Sequence, residues 1–340
     1  MRNVFIFSVC LLLLAACKPE APHVGIAKKG VLIVNEGNFG WANGDLSAYN
    51  PETKEVVNEV FKSTNGVLLG DVAQSAFLRD SLVYVVLNNS AKVEVLALQD
   101  LSRKFTINIS GSSPRYFLPV NDSVALVTEL YANKIWKINF KTGETLGSIP
   151  VSGETNQMVQ KNEHVFVAER TKFNGNFTAQ IRVIDANTLQ SSTTIPLSSE
   201  PNSLALDNEN NLYVLTDSNV HAKAKLVKIN TTTWSIAQQQ EFENGQPRLL
   251  RSNGDKTKLY YAMNSAVYKI PKNELHLVSP FINTSAFILY GMNIDPKNED
   301  IYVADALDYT QRSRVVVYDV SGNEKTNFAA GIIANSFLFY

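Results

Sequence analysis

Ile301-Tyr302-Val303-Ala304-Asp305-Ala306-Leu307-Asp308-Tyr309 is a short apolar run that stops at an acidic residue and opens into a loop. The chain resumes with Val315-Val316-Val317-Tyr318 and turns at Asp319-Val320-Ser321-Gly322. An Asx residue at the head of such a turn bonds its own backbone and a glycine supplies φ > 0, so the unit reads as strand, loop, strand, hairpin turn. Working outward, the same phrase occurs seven times between Val31 and Asp319. Its first runs are Val31 to Val34, Val83 to Leu87, Val124 to Val127, Val165 to Ala168, Leu212 to Leu215, Leu259 to Ala262 and Ile301 to Ala304. They end at or near Glu36, Asn89, Glu129, Glu169, Asp217, Asn264 and Asp305.

Self-similarity at roughly 40 to 50 residues, built from short strands, marks a β-propeller with one four-stranded blade per repeat. The class is therefore all-β, a seven-bladed β-propeller over residues 31–340 as one domain. Second runs such as Leu46 to Tyr49, Ile135 to Ile138, Ile181 to Ile184 and Leu226 to Ile229 lead into Asx-headed turns. Third runs, Val56 to Phe61, Leu146 to Ile149 and Thr193 to Leu197, are expected to end their blades. Ser113-Pro114-Arg115, Glu200-Pro201-Asn202-Ser203 and Gln246-Pro247-Arg248 mark entries into new blades, since proline is tolerated where a strand begins. The first repeat lacks an innermost strand, and the terminal stretch Ile332 to Tyr340 lacks a partner. Ser336 to Tyr340 is expected to fill that vacancy and close the ring, removing two exposed edges.

Apolar residues make up 45% of the 340 and charged residues 19%, which excludes a disordered chain. Thirty-one basic residues against 32 acidic ones leave no field favouring nucleic acid, and no basic run after residue 30 forms a polybasic membrane patch. Residues 1–17 read as a signal peptide: Arg2, then the apolar stretch Val4 to Leu14, too short to span a bilayer. It ends in Leu14-Ala15-Ala16-Cys17, which resembles the lipobox of bacterial lipoproteins and implies lipidation at Cys17. Residues 18–30 read as a flexible tether. Lys18, where inner-membrane retention signals carry Asp, favours the outer membrane, with the protein at the cell surface or on the periplasmic face. Cys10 and Cys17 are both in the leader, so no disulfide is expected in the mature fold.

In a propeller the loops after the second strands and the junctions between blades emerge on one face. The seven strand-end residues, five carboxylates and two amides, are expected to ring the mouth of the central channel there. Asn, Asp and Glu at strand ends also satisfy local backbone donors, so any one of them has a structural alternative. Three loops on that face are long and carry aromatics: residues 37–44 with Asn38, Phe39 and Trp41, residues 170–177 with Phe173, and residues 306–312 with Asp308 and Tyr309. Tyr131, Asn133 and His221 lie in shorter ones, and the junctions add Gln74, Arg115, Tyr116, Asn156, Gln157, Asn202, Arg248, Tyr290 and Asn293. Amphipathic rings beside amides suit a large, flat or amide-bearing ligand. The four histidines are scattered, and no nucleophile elbow, phosphate loop or transition-metal spacing occurs, so no catalytic residue, metal ligand or cofactor is assigned.

With the lipobox, the repeats resemble the YncE-like seven-bladed propeller lipoproteins of Bacteroidota. The most specific parts are Val34-Asn35-Glu36-Gly37-Asn38-Phe39-Gly40 and the closing Ile301 to Tyr309, continuing through Val315 to Asp319 and Gly331-Ile332-Ile333-Ala334. Part of that family is the BtuG group, surface lipoproteins that capture cobalamin. The resemblance implies a non-catalytic protein that captures cobalamin or another corrinoid on the loop-rich face and passes it to a TonB-dependent outer-membrane transporter. Two other classes stay open: a metal-dependent lactonase or lyase using Glu36, Glu129, Glu169, Asp217 and Asp305, and a scaffold for protein or glycan.

Overall fold

The computed structural model describes residues 29–171, 175–209, 211–219, 222–271, 275 and 279–340. Cys17 with the rest of residues 1–28, Phe173 and His221 lie outside the described residues. The chain forms seven four-stranded antiparallel sheets, one per repeat. The second strands, which carry the diagnostic apolar runs, are Val31–Asn35, Leu82–Leu87, Val124–Glu129, His164–Arg170, Asn211–Thr216, Lys258–Met263 and Ile301–Asp305. Burial explains their composition. Sandwiched between neighbouring blades, they have no solvent face and need none of the apolar/polar alternation of a half-buried strand. The outermost strands are the reverse: Glu144–Pro150 and Ser235–Glu241 are exposed along most of their length and polar, which keeps each sheet edge from pairing with another chain.

The ring closes as the sequence requires. Ala334–Phe339 pairs antiparallel with Val31–Asn35 as the innermost strand of blade 1, and Gly30 and Tyr340 extend the ladder by two backbone bonds of 3.2 and 3.1 Å. Behind that seam, Val31, Ile33 and Tyr49 of blade 1 pack with Tyr302, Val315 and Val317 of blade 7. Each such buried side chain contributes about 1.5–3 kcal/mol. A polar strap reinforces it: Asn35 Nδ2 donates to Ser47 Oγ at 2.8 Å, and Gly331 N–H donates to Asn35 Oδ1 at 3.0 Å.

The Asx-headed turns form at every quoted position. Asn50, Asn139, Asp185, Asn230 and Asp319 each accept from backbone N–H groups two to four residues on. One strand does not form as expected. Only Val56–Val57 of the run Val56 to Phe61 is strand, and Val60–Asn65 is a short helix, α1. Glu59 turns the chain with φ 55°, and Val60 and Phe61 then reach the blade 1 core from a helical turn, capped by Gly66 at φ 68°. Apolar residues needing burial have here taken a helical route, and Phe61 N–H donates to Asp45 Oδ1 at 3.2 Å, joining α1 to the third strand where its outer partner has ended.

Candidate functional site

The register between innermost and second strand slips at the same place in all seven blades, near the start of the innermost strand. The slips lie between Ala73 and Ser75, Pro114 and Phe117, Thr155 and Met158, Pro201 and Ser203, Arg248 and Arg251, and Leu289 and Gly291. In blade 1 the residue skipped is Asn335. A bulge removes a residue from the alternation and re-aims its side chain. The residues so released include Gln74, Arg115, Asn202, Tyr290 and Asn335, at the end of each innermost strand where the junctions emerge.

Two of these converge on Glu36. Its Oε2 accepts from Tyr290 Oη at 2.9 Å and from Asn335 Nδ2 at 3.3 Å. Burial raises the Glu36 pKa, while those bonds and the positive field of Arg115 oppose the rise. Burial and the neighbouring Glu36 also hold the Tyr290 phenol far above its ordinary range. Arg115 belongs to blade 3, yet its charge acts on Glu36 of blade 1, Tyr290 of blade 7 and Glu154 of blade 4.

On the other side of the mouth the charges pair among themselves. Arg170 donates to Asp217 Oδ2 at 2.7 Å and to Glu200 Oε2 at 3.0 Å, and Asn202 Nδ2 donates to Asp217 Oδ1 at 2.7 Å. Burial pulls the Arg170 pKa down, but Asp217, Glu200 and Glu154 outweigh it and hold the guanidinium above its ordinary value. Arg248 donates to the carbonyl of Leu289.

The seven strand-end residues are not a uniform ring of acceptors. Glu129 accepts from Ser113 N–H at 2.9 Å and Trp136 Nε1 at 3.2 Å. Glu169 accepts from Ser152 and Gly153 N–H at 2.6 and 2.9 Å and from Arg182 Nε at 2.8 Å. Asp305 accepts from Phe287 and Ile288 N–H at 2.9 and 2.8 Å. All three are buried and clamp the junction entering their own blade, which is the structural role open to strand-end acids. Asn89 is exposed and donates to Asp71 Oδ2 at 2.6 Å; Asn264 is exposed in a turn at φ 50°. Of the seven, Glu36 and Asp217 engage the bulged residues of the channel mouth. No three His, Cys, Asp or Glu side chains among the described residues are grouped so as to hold a metal ion.

The loops add an apolar rim. Phe39, Trp41 and Phe287 are 72%, 75% and 78% exposed, and Tyr131, Phe177 and Tyr309 are exposed with them. All six lie in second-to-third-strand loops or in a blade junction, hence on the mouth face. The other large exposed apolar side chains, Val57, Val67, Leu68, Leu146, Ile236 and Val320, are aliphatic, and of these only Val67 and Leu68 are in a junction. The aromatic loops are held: Asn38 Nδ2 donates to the Tyr309 carbonyl at 2.7 Å, Gly40 N–H to Asp71 Oδ2 at 2.8 Å, and the Tyr309 ring stands edge-on to Tyr290 at 5.7 Å. Asp308 turns inward on its own loop, accepting from Thr310 and Gln311 N–H at 2.9 Å each, bonds that with Gln311 Nε2 hold its carboxyl well below the usual range.

Sequence reading did not single out Glu154, Arg170, Glu200, Asn335 or Phe287 as site residues. Glu154 and Glu200 flank the starts of innermost strands, a detectable signal, and Phe287 is an aromatic in a polar junction. Asn335 becomes visible only through the bulge.

Residues 29–333 match the model of a family described as a domain of unknown function, DUF5074. The chain belongs to that family. Among curated proteins none matches it. The DUF5074 propeller is similar in fold to a quinoprotein alcohol dehydrogenase-like protein of Bacteroides thetaiotaomicron, at TM-score 0.74 and 16% identity over 93% of this chain and 79% of that one. A protein from Lactobacillus plantarum superimposes with TM-score 0.71 at 12% identity over 92% and 99% of the two chains. A functionally unknown protein from Desulfotomaculum acetoxidans gives 0.67 at 13% identity over 91% and 98%.

Proposed function

We propose that this DUF5074 propeller is a non-catalytic binding lipoprotein that captures a large amide-bearing solute, cobalamin or another corrinoid, on its mouth face. In this reading Cys17 carries lipid that holds the protein on the outer membrane, at the cell surface, and the ligand passes to a TonB-dependent transporter. The observation that carries the binding role is the segregation of the exposed aromatic side chains, all six among the described residues lying on the mouth face around a polar throat. Water-exposed rings cost the free protein solubility and repay it only when a ligand covers them. A rim of flat apolar surface around hydrogen-bonding groups matches a macrocycle that bears amides on its edge.

The test is titration of the chain lacking residues 1–17, which retains every residue of the seven blades, with cyanocobalamin. Saturable binding is expected, and no binding at micromolar ligand would overturn the corrinoid assignment. Phe39→Ala, Trp41→Ala and Phe287→Ala should each weaken capture about tenfold, equivalent to roughly 1.4 kcal/mol. Their melting temperatures should match that of the parent.

A further inference from the structure

The sequence contains five Asn–Gly pairs, headed by Asn43, Asn65, Asn174, Asn244 and Asn253. Asparagine is thermolabile in such a pair, because the backbone nitrogen of the next residue attacks the side-chain amide, and glycine, with no Cβ, neither shields that nitrogen nor restricts its approach. Asn174 lies outside the described residues. The fold treats the other four unequally.

Three are locked. The Asn43 side chain accepts from Asn38 N–H at 2.7 Å and donates to Asn38 Oδ1 at 3.2 Å, while Gly44 N–H is spent on the Gly70 carbonyl at 3.1 Å. Asn65, at the end of α1, donates to the Phe61 and Leu101 carbonyls at 3.0 Å each and accepts from Arg103 N–H at 2.8 Å. Its neighbour Gly66 donates to the Lys62 carbonyl at 2.9 Å. Asn253 is buried, accepts from Thr257 and Lys258 N–H at 2.9 Å each, and donates to Glu299. Attack at any of the three must first break the bonds that hold the side chain, a local opening with its own free-energy cost.

Asn244 is not held. It is exposed in the junction from blade 5 to blade 6, in a bend between buried Phe242 and buried Pro247. No described residue hydrogen-bonds its side chain or the Gly245 N–H. Gly245 has φ 93°, a conformation that side-chain-bearing residues rarely adopt. The bend thus calls for the one residue type that leaves the preceding asparagine open to attack.

We infer that Asn244 is a modification site, at which the native protein converts asparagine spontaneously to aspartate and isoaspartate. The Gly245 nitrogen gives its proton to solvent base and attacks Asn244 Cγ; the new C–N bond closes a cyclic imide, and the side-chain nitrogen takes a proton from water and leaves as ammonia. Water then adds to one imide carbonyl or the other, opening the ring to aspartate or isoaspartate. No oxidant or cofactor takes part. The product places a new carboxylate in a mouth-face cleft that Asn244 shares with Ser218, Gln246 and the ion pair of Lys223 with Glu243. This conversion does not depend on the binding role proposed above.

The test follows protein lacking residues 1–17 through incubation at mildly alkaline pH, in native buffer and in urea, by site-resolved mass spectrometry of tryptic peptides. A digest at zero time corrects for conversion during handling. In native buffer Asn244 should convert at least about tenfold faster than Asn43, Asn65 or Asn253, a ratio that a local opening cost of about 1.4 kcal/mol already produces. Its signature is a transient loss of ammonia, then the mass gain of amide-to-acid exchange, with isoaspartate as a separable second product. In urea the four rates should converge, since the fold is what restrains three of them. Native conversion at Asn244 no faster than at the other three, or a lead for Asn244 that persists unchanged in urea, overturns the inference.

Discussion

Blades 4 and 1 each carry a glutamate near the end of the second strand, one residue out of step, and put it to opposite use. Glu169 pairs with Thr155 of its innermost strand, whereas in blade 1 that register belongs to Asn35, opposite Ala334, and Glu36 follows it. In blade 4 the junction arriving from blade 3 points its Ser152 and Gly153 N–H groups at Glu169, whose remaining capacity is taken by Gln180 and Arg182. The fit is tight: a Cβ on Gly153 would lie 1.9 Å from the Arg170 carbonyl oxygen. In blade 1 the innermost strand arrives from the far end of the chain, and the junction amide of Gly331 goes to Asn35 Oδ1 at 3.0 Å. Glu36 and Gly37 donate their backbone N–H groups to Ile333 and Ile332 oxygens at 2.8 and 3.1 Å. One residue further on, strand alternation turns the Glu36 side chain to the opposite face, where Tyr290 and Asn335 meet it. Asp217, which follows Thr216 in blade 5, stands at the same step as Glu36 and likewise meets a bulged residue, Asn202, at 2.7 Å.

The comparison breaks most completely if the seam is removed. Deleting residues 332–340 strips the innermost strand of blade 1 together with the carbonyls that receive Glu36 and Gly37. The expected product shows no cooperative melt and aggregates, and a cooperative transition at unchanged Tm would end the closure account.

A smaller effect separates the two glutamates directly. Glu169→Ala leaves Arg182 buried without its carboxylate and strands two backbone donors, which should cost about 3–5 kcal/mol in urea unfolding. Glu36→Ala, which removes bonds to the Tyr290 hydroxyl and the Asn335 amide but strands neither a buried cation nor a backbone donor, should cost about 1 kcal/mol. Equal costs would erase the distinction.

The smallest effect is pH-dependent and concerns Asp45, a third acid at the seam. Burial pushes its carboxyl up to about 6, against the bonds it accepts from Leu46 and Phe61 N–H. An acid with a raised folded pKa binds its proton more tightly in the native state, so its contribution to stability falls as pH rises from about 4 to about 6. At 1.36 kcal/mol per unit the difference is at most about 3 kcal/mol. Asp45→Asn keeps the acceptor and loses the proton, so it should flatten the stability profile in that window and be no less stable than the parent at pH 7. A profile as steep as the parent's would place the dependence elsewhere.

The seven-bladed fold was legible because buried second strands must be apolar throughout and Asx-headed turns must interrupt them, both properties local in sequence. Closure was legible from two incomplete ends. The fate of Glu129, Glu169 and Asp305 was not, because whether a strand-end acid faces the channel or its own junction depends on a one-residue difference in register against the innermost strand. Val60 and Phe61 read as strand since burial, not periodicity, set their composition. The throat was half legible: Arg115, Asn202 and Tyr290 stand out as polar residues entering innermost strands, but a bulge has no composition of its own, so Asn335 stayed hidden.

Glu36 meets Tyr290 across 254 positions of sequence and Asn335 across 299. Contacts so distant form late, since loop closure must precede them. A chain still emerging from the ribosome possesses Glu36 almost from the start and lacks the groups that position it until Tyr290 and Asn335 arrive. Order around Glu36 is thus a mark of completion: a truncated chain carries the acid without the hydroxyl and the amide that position it.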